Sequence, residues 1–174
     1  MSWFMVDVEC DGPCPGLYSM VQVGLVKVEK DPKETFYGEF KPLSGASWKE
    51  DALKIIHVSR ETTLTYPEAI ATMVKLDEWL QIHNKGRAQI ISDNNGWDVA
   101  FLSYYFHAFI GYNPFGHTST NLGSLYKGLE KNMFKSFHHL RITPHDHNPV
   151  NDALGNVEAL IFMKENLGLK INLD

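Results

Sequence analysis

Residues Trp3 to Glu9 suit a strand, an apolar run passing into the alternation Val6-Asp7-Val8-Glu9, and Met20 to Val28 predicts a second strand. Between them Asp11-Gly12-Pro13-Cys14-Pro15-Gly16 is a turn that breaks any helix. Lys30-Asp31-Pro32-Lys33 is the next turn, with a third strand predicted near Glu34 to Lys41. Helical spacing begins at Tyr66 to His83, where Ile70, Met73, Val74, Leu76, Trp79, Leu80 and Ile82 form an apolar face and Pro67 suits a first turn. Gln89 to Ser92 predicts a short buried strand. Helices follow over Trp97 to Phe109, near Leu122 to Asn132, and over Val150 to Glu165, the last striped by Ala153, Leu154, Val157, Leu160 and Ile161. Three leading strands, then helices alternating with one or two further strands, predict an α/β domain with a mixed central sheet flanked by α-helices. No internal stretch resembles a linker, so residues 1–174 are expected to form a single domain.

Composition changes this picture little. With 44% hydrophobic and 21% charged residues the chain can fill a core, and disorder is not expected. An acid at position 7 comes too early for a signal peptide, and no run of eighteen apolar residues could span a bilayer, so a cytoplasmic setting without membrane contact is expected. Cys10 and Cys14 are read as free thiols in a reducing compartment. Charge matters more. A net charge of −5 is unlike a protein that grips a long duplex through phosphates, so any hold on nucleic acid must come from metal ions or a small local cluster.

The candidate chemistry lies in three places. Asp7 and Glu9, two apart on the first strand, leave the same face while Val6 and Val8 point to the opposite layer. Such a pair either reaches water at a strand end or is neutralised by something positive, most simply a divalent cation. Asn94-Asn95-Gly96-Trp97-Asp98 opens a helix and places Asp98 in its first turn, where the helix dipole favours a carboxylate; Asp93 is a competing strand-end acid. His147 stands on a loop restrained by Pro149, and Asp152 falls in the first turn of the closing helix. A histidine titrates near neutral pH (ordinary pKa roughly 6.5) and so can serve as a general base. His138, His139 and His145 raise a histidine zinc site as an alternative, but the acids offer the hard oxygens that magnesium or manganese take, and these three are read as surface loop residues touching at most substrate phosphate.

In order, these pieces resemble the DEDDh group of DnaQ-like 3′–5′ exonucleases, whose fold is ribonuclease H-like. Asp7-Val8-Glu9 matches the first motif, Asn94 with Trp97-Asp98 the second, and His147 followed after four residues by Asp152 the third. Ala52 to Val58 also looks like the family's loop before its first helix. Three weak motifs in the right order on the right elements are specific together. The resemblance implies two divalent ions, Mg²⁺ or Mn²⁺, about 3.5–4 Å apart on Asp7, Glu9, Asp98 and Asp152, with His147 as base and nucleoside 5′-monophosphates as products. It implies substrate contacts at Cys10, Asp11, Gly12, Asn94 and Trp97. Cys10-Asp11-Gly12 replaces the family's small hydroxyl residues and glycine, and Trp97 its usual phenylalanine. Tyr18, Phe101, Tyr104, Tyr105 and Phe106 are candidates for stacking on bases, most of them expected in the core. The implied partners are single-stranded 3′ ends, with RNA slightly favoured over DNA repair or proofreading substrates; a catalytically silent binding module is the alternative from another class. By analogy with small members of the family, a homodimer is allowed.

Overall fold

The computed structural model describes residues 1–173. Strands β1 (Ser2–Cys10), β2 (Met20–Lys27) and β3 (Thr35–Glu39) form the expected antiparallel meander, and β4 (Ala88–Ser92) and β5 (Thr120–Asn121) add in parallel to the other edge. The sheet order is β3-β2-β1-β4-β5, which puts β1, carrying the first pair of acids, at the centre. Alternation along β1 divides its side chains between two layers. Phe4, Val6 and Val8 pack with Met73, Leu76 and Leu80 of α3 (Ala69–His83) and with Phe101, Leu102 and Tyr105 of α4 (Asp98–Tyr105). Met5 faces the other way, toward α5 (Leu122–Leu129) and Ala153, Val157, Leu160 and Met163 of α6 (Pro149–Asn166). The sheet is mixed and flanked by helices, with an apolar core on each side.

The structure differs from the sequence pattern in three places. Ile70, Val74 and Ile82, assigned to the apolar face of α3, are exposed, because Ala69, Thr72, Met73, Leu76 and Leu80 make the contact with the sheet. The segment read as a loop around Ala52 contains a short helix, α1 (Glu50–Ile55), followed by a single helical turn, α2 (Arg60–Thr63). The reason lies in β2. Pairing slips between Glu9↔Gln22 and Cys10↔Met20, leaving Val21 as the extra residue of a bulge. Val21 is thereby buried against Leu53 and Ile56, which fixes α1 across the end of β1. The helix after Asp98 also changes form. It continues as a π-helical turn over Phe106–Ile110 and ends on Gly111 in the left-handed region.

Candidate metal-dependent active site

Asp7 pairs across the sheet with Gly24 of β2. A Cβ at Gly24 would lie 2.2 Å from the carbonyl carbon of Pro149, so only glycine lets the start of α6 settle on the sheet beside Asp7. Helix α6 is well begun there. Asn148 caps the amides of Val150 and Asn151, and Pro149 occupies the first turn. One turn in, Asp152 is driven against β1 and is 1% exposed. Asp7, Glu9 and Asp152 thus bring one carboxylate oxygen each to within 4.8 Å of one another.

Asp98 arrives from the opposite side. The β1–β4 ladder ends at Val6↔Ser92, and the chain then turns at Asn94 into α4. Beyond the ladder, the Val8 amide donates to Asp98 Oδ1 (3.4 Å), while the Asn94 amide donates to Oδ2 (3.1 Å). Asp98 therefore borders the same cleft as Asp7 and Glu9, but it lies outside the mutually close trio. Asp93, the competing acid, borders the same cleft but is paired: Arg141 Nη2 donates to its Oδ2 at 3.2 Å, and His138 Nε2 lies 3.4 Å from the same oxygen.

His147 is held on the loop before α6 with φ +60°, a conformation that costs a non-glycine residue about 1 kcal/mol or more. Its Nδ1 faces Glu9 Oε1 at 3.8 Å. His145 is exposed on its loop, as expected, and it also borders the site. Its Nδ1 is 2.8 Å from Asp152 Oδ2, at ion-pair distance but without hydrogen-bond geometry, and its ring packs edge-on against His147 with centroids 4.5 Å apart. The signal for it was the His-x-His spacing ahead of Asp152. Arg141 was also missed. It is nearly buried, and its field opposes the strong upward shift of the Asp7 carboxyl.

The electrostatics are those of a site awaiting positive charge. Burial, then repulsion from Asp98, Glu9 and Asp152, holds Asp7 well above the carboxylate range. Burial, with Asp152 and Asp98 adding, pushes Glu9 up to about 8, and burial raises Asp98 to about 7. Asp152 Oδ2 is buried without a hydrogen bond. An oxygen-only trio, mutual repulsion and an unsatisfied buried carboxylate oxygen fit a hard divalent cation, with Asp7, Glu9 and Asp152 as the residues that would hold it.

The residues expected at the substrate divide into two groups. Asn94 is exposed and the half-buried Trp97 stacks on Phe101 (centroids 5.4 Å); both line a cleft of about 330 Å³ with Asp7, Glu9 and His147. Of the other three, Cys10, a free thiol like Cys14, packs in the core and also borders that cleft, whereas Asp11 and Gly12 are buried away from it. Asp11 is fully buried, accepting from the Ser19 amide (2.6 Å) and pairing with Arg60 Nη1 (2.9 Å). Gly12 makes room for Tyr18, whose ring would lie 1.9 Å from a Cβ there. The contacts that Asp11 and Gly12 make are structural. Of the aromatic candidates, Phe101, Tyr105 and Phe106 are core, whereas Tyr104 is exposed.

The mixed five-stranded sheet flanked by helices is the ribonuclease H-like fold that the sequence resemblance to the DEDDh group of DnaQ-like 3′–5′ exonucleases implies. The chain is 29% identical to the 3′-5′ DNA exonuclease Cap18 of Escherichia coli, over 97% of its own length and 94% of that protein. In structure it is similar to the nuclease domain of 3′hExo, a DEDDh family member bound to rAMP, with TM-score 0.77, 13% identity and coverage of 98% and 96%. It is also similar to cell-death related nuclease 4, with TM-score 0.78 and 13% identity over 94% of this chain, which spans 64% of that structure. No family model matches the chain.

Proposed function

We propose that this chain is a divalent-metal-dependent exonuclease that removes nucleoside 5′-monophosphates from single-stranded 3′ ends by a two-metal mechanism, with Asp7, Glu9, Asp98 and Asp152 serving Mg²⁺ or Mn²⁺ and His147 as general base. The observation that carries this reading is the convergence of Asp7, Glu9 and Asp152, with His147 facing them, in one cleft. Divalent ions bound there supply positive charge to phosphate oxygens as negative charge develops on them. The protein's own groups do the rest. With Nδ1 of His147 turned toward Glu9, Nε2 is the nitrogen that takes the proton from the attacking water. The left-handed backbone at His147 carries that ring back toward the carboxylates while leaving part of it open to water. Asp98, held in place by two backbone amides, would add its carboxylate to the hold on the ions. Trp97 and Asn94 flank the terminal nucleotide.

A second groove, reaching the cleft through Asp93 and Asn94, carries Lys127 and a fully exposed Phe134 and suits the preceding nucleotides. DNA ends are the first substrate, because the full-length relative is a DNA exonuclease. The RNA reading is supported by the fold's likeness to a domain bound to rAMP. No residue of the site selects between them, since that choice rests on contacts at the 2′ position. The test is digestion of matched single-stranded DNA and RNA with Mg²⁺ or Mn²⁺. Release of nucleoside 5′-monophosphates from either polymer supports the reading. Release from neither, at any metal concentration, sinks it.

A further inference from the structure

The loop before α6 assembles a second donor set beside the carboxylate trio. His145, His147 and Asp152 each bring one ligand atom within 4.8 Å of the others. Two of the three donors are imidazole nitrogens, and the third belongs to a carboxylate that is 1% exposed with an oxygen lacking any hydrogen bond. That oxygen lies 2.8 Å from His145 Nδ1, with no hydrogen bond between them. A zinc ion bonds nitrogen and oxygen at about 2.0–2.2 Å, so its tetrahedral ligands lie roughly 3.4 Å apart. A small outward turn of the half-exposed His145 ring reaches that spacing. The rest of the loop is already braced for it. Asp146 accepts from Asn148 N and Asn151 Nδ2, while its own amide donates to Asp152 Oδ1 at 3.2 Å, which leaves Oδ2 to the histidines.

We infer that His145, His147 and Asp152 form a transition-metal site, suited to Zn²⁺ or Co²⁺, that overlaps the carboxylate centre. The donor chemistry separates the two sites. Mg²⁺ prefers the oxygens of Asp7, Glu9 and Asp152, whereas a borderline-soft ion gains from the two imidazoles. Asp152 is common to both, and His147 is the proposed base. Zinc bound at the histidines therefore withdraws one carboxylate and the base together, and holds the enzyme inactive in the presence of Mg²⁺. The inhibition rests on the function proposed above; the metal site itself does not.

The experiment titrates the full chain with Co²⁺, following its visible absorption, and then displaces Co²⁺ with Zn²⁺. The wild type should show a Co²⁺ band of low coordination number, saturating at one equivalent and lost on adding one equivalent of Zn²⁺. His145→Ala, with His145→Gln as a second variant should the first fail to fold, should lower Co²⁺ affinity at least tenfold and change the band. In parallel, the Zn²⁺ concentration that halves Mg²⁺-supported nuclease activity should rise at least tenfold in the variant, each protein being compared with its own zinc-free rate. Wild-type affinity and spectrum in both variants, or no Co²⁺ binding by the wild type, would overturn the site. A Co²⁺ site that depends on His145 in a protein without nuclease activity would keep the site and remove the proposed function.

Discussion

Asp11 and the Asp7–Glu9 pair lie within five residues on one stretch of chain, yet the fold treats them in opposite ways. Asp11 is fully buried, and although burial raises its carboxyl above the usual range, the Ser19 amide and Arg60, itself stacked over Trp48, oppose that shift from within. Asp7 and Glu9 face two further carboxylates, with Arg141 opposing only part of the effect on Asp7. A fold that can neutralise one acid on its own leaves the adjacent acids short of positive charge. The difference separates a structural carboxylate from a cluster that an external cation would complete.

The contrast can be broken most severely at its functional end. Asp7→Asn should reduce metal-dependent nucleotide release by roughly 10³-fold or more, about 4 kcal/mol of transition-state stabilisation, while the variant unfolds at no lower temperature than the metal-free wild type. Breaking the structural end should do the reverse. Arg60→Met leaves Asp11 buried without its cation and should cost about 3 kcal/mol of stability, a fall in Tm of roughly 6–12 °C by calorimetry, whereas Asp11→Asn in the same chain should restore much of it. Gly24→Ala tests what brings the two arms of the site together. Its methyl group meets the start of α6, so about 2 kcal/mol of stability and most of the activity should be lost together.

A smaller effect concerns pH. Glu9 and Asp98 have raised pKa values in the fold, about 8 and about 7, against ordinary carboxylates in the unfolded chain. Their contribution is fully present below the unfolded values and is lost as pH rises through the folded ones. The metal-free protein should therefore lose thermal stability between about pH 5 and 8, and Mg²⁺ should recover more of it at pH 8 than at pH 6. A flat metal-free profile would remove the electrostatic half of the comparison. Smallest of all, Phe134→Ala should raise KM for a single-stranded substrate about five-fold with kcat unchanged, as loss of one stacking contact of about 1 kcal/mol predicts.

Much of this was legible in the sequence, and the exceptions share one cause. Local periodicity revealed β1, β2, β3 and α6, and short-range spacing placed Asp7, Glu9, Asp98, His147 and Asp152 on the right elements. Tertiary pairing was invisible. Arg60 lies forty-nine residues from Asp11, so an acid beside the site looked like a substrate contact until its partner was seen. Helix α1 is six residues long, too short for a period to show, and it is fixed by a bulge at Val21 that no local pattern marks. His145 reaches Asp152 because of the loop's path through a left-handed His147, which the sequence does not encode in any readable spacing beyond His-x-His.

The central claim is that the carboxylates left uncompensated beside β1 hold divalent ions and that nucleic-acid hydrolysis depends on those ions. Its most direct test is a Mn²⁺ titration in which bound ion, from the loss of free-ion electron spin resonance, and shortening of a 5′-labelled single strand are read in one sample. The account predicts that shortening proceeds from the 3′ end and rises with ion occupancy, and that Asp7→Asn loses both. Strand shortening without bound ion, or undiminished binding and cleavage by Asp7→Asn, would contradict it.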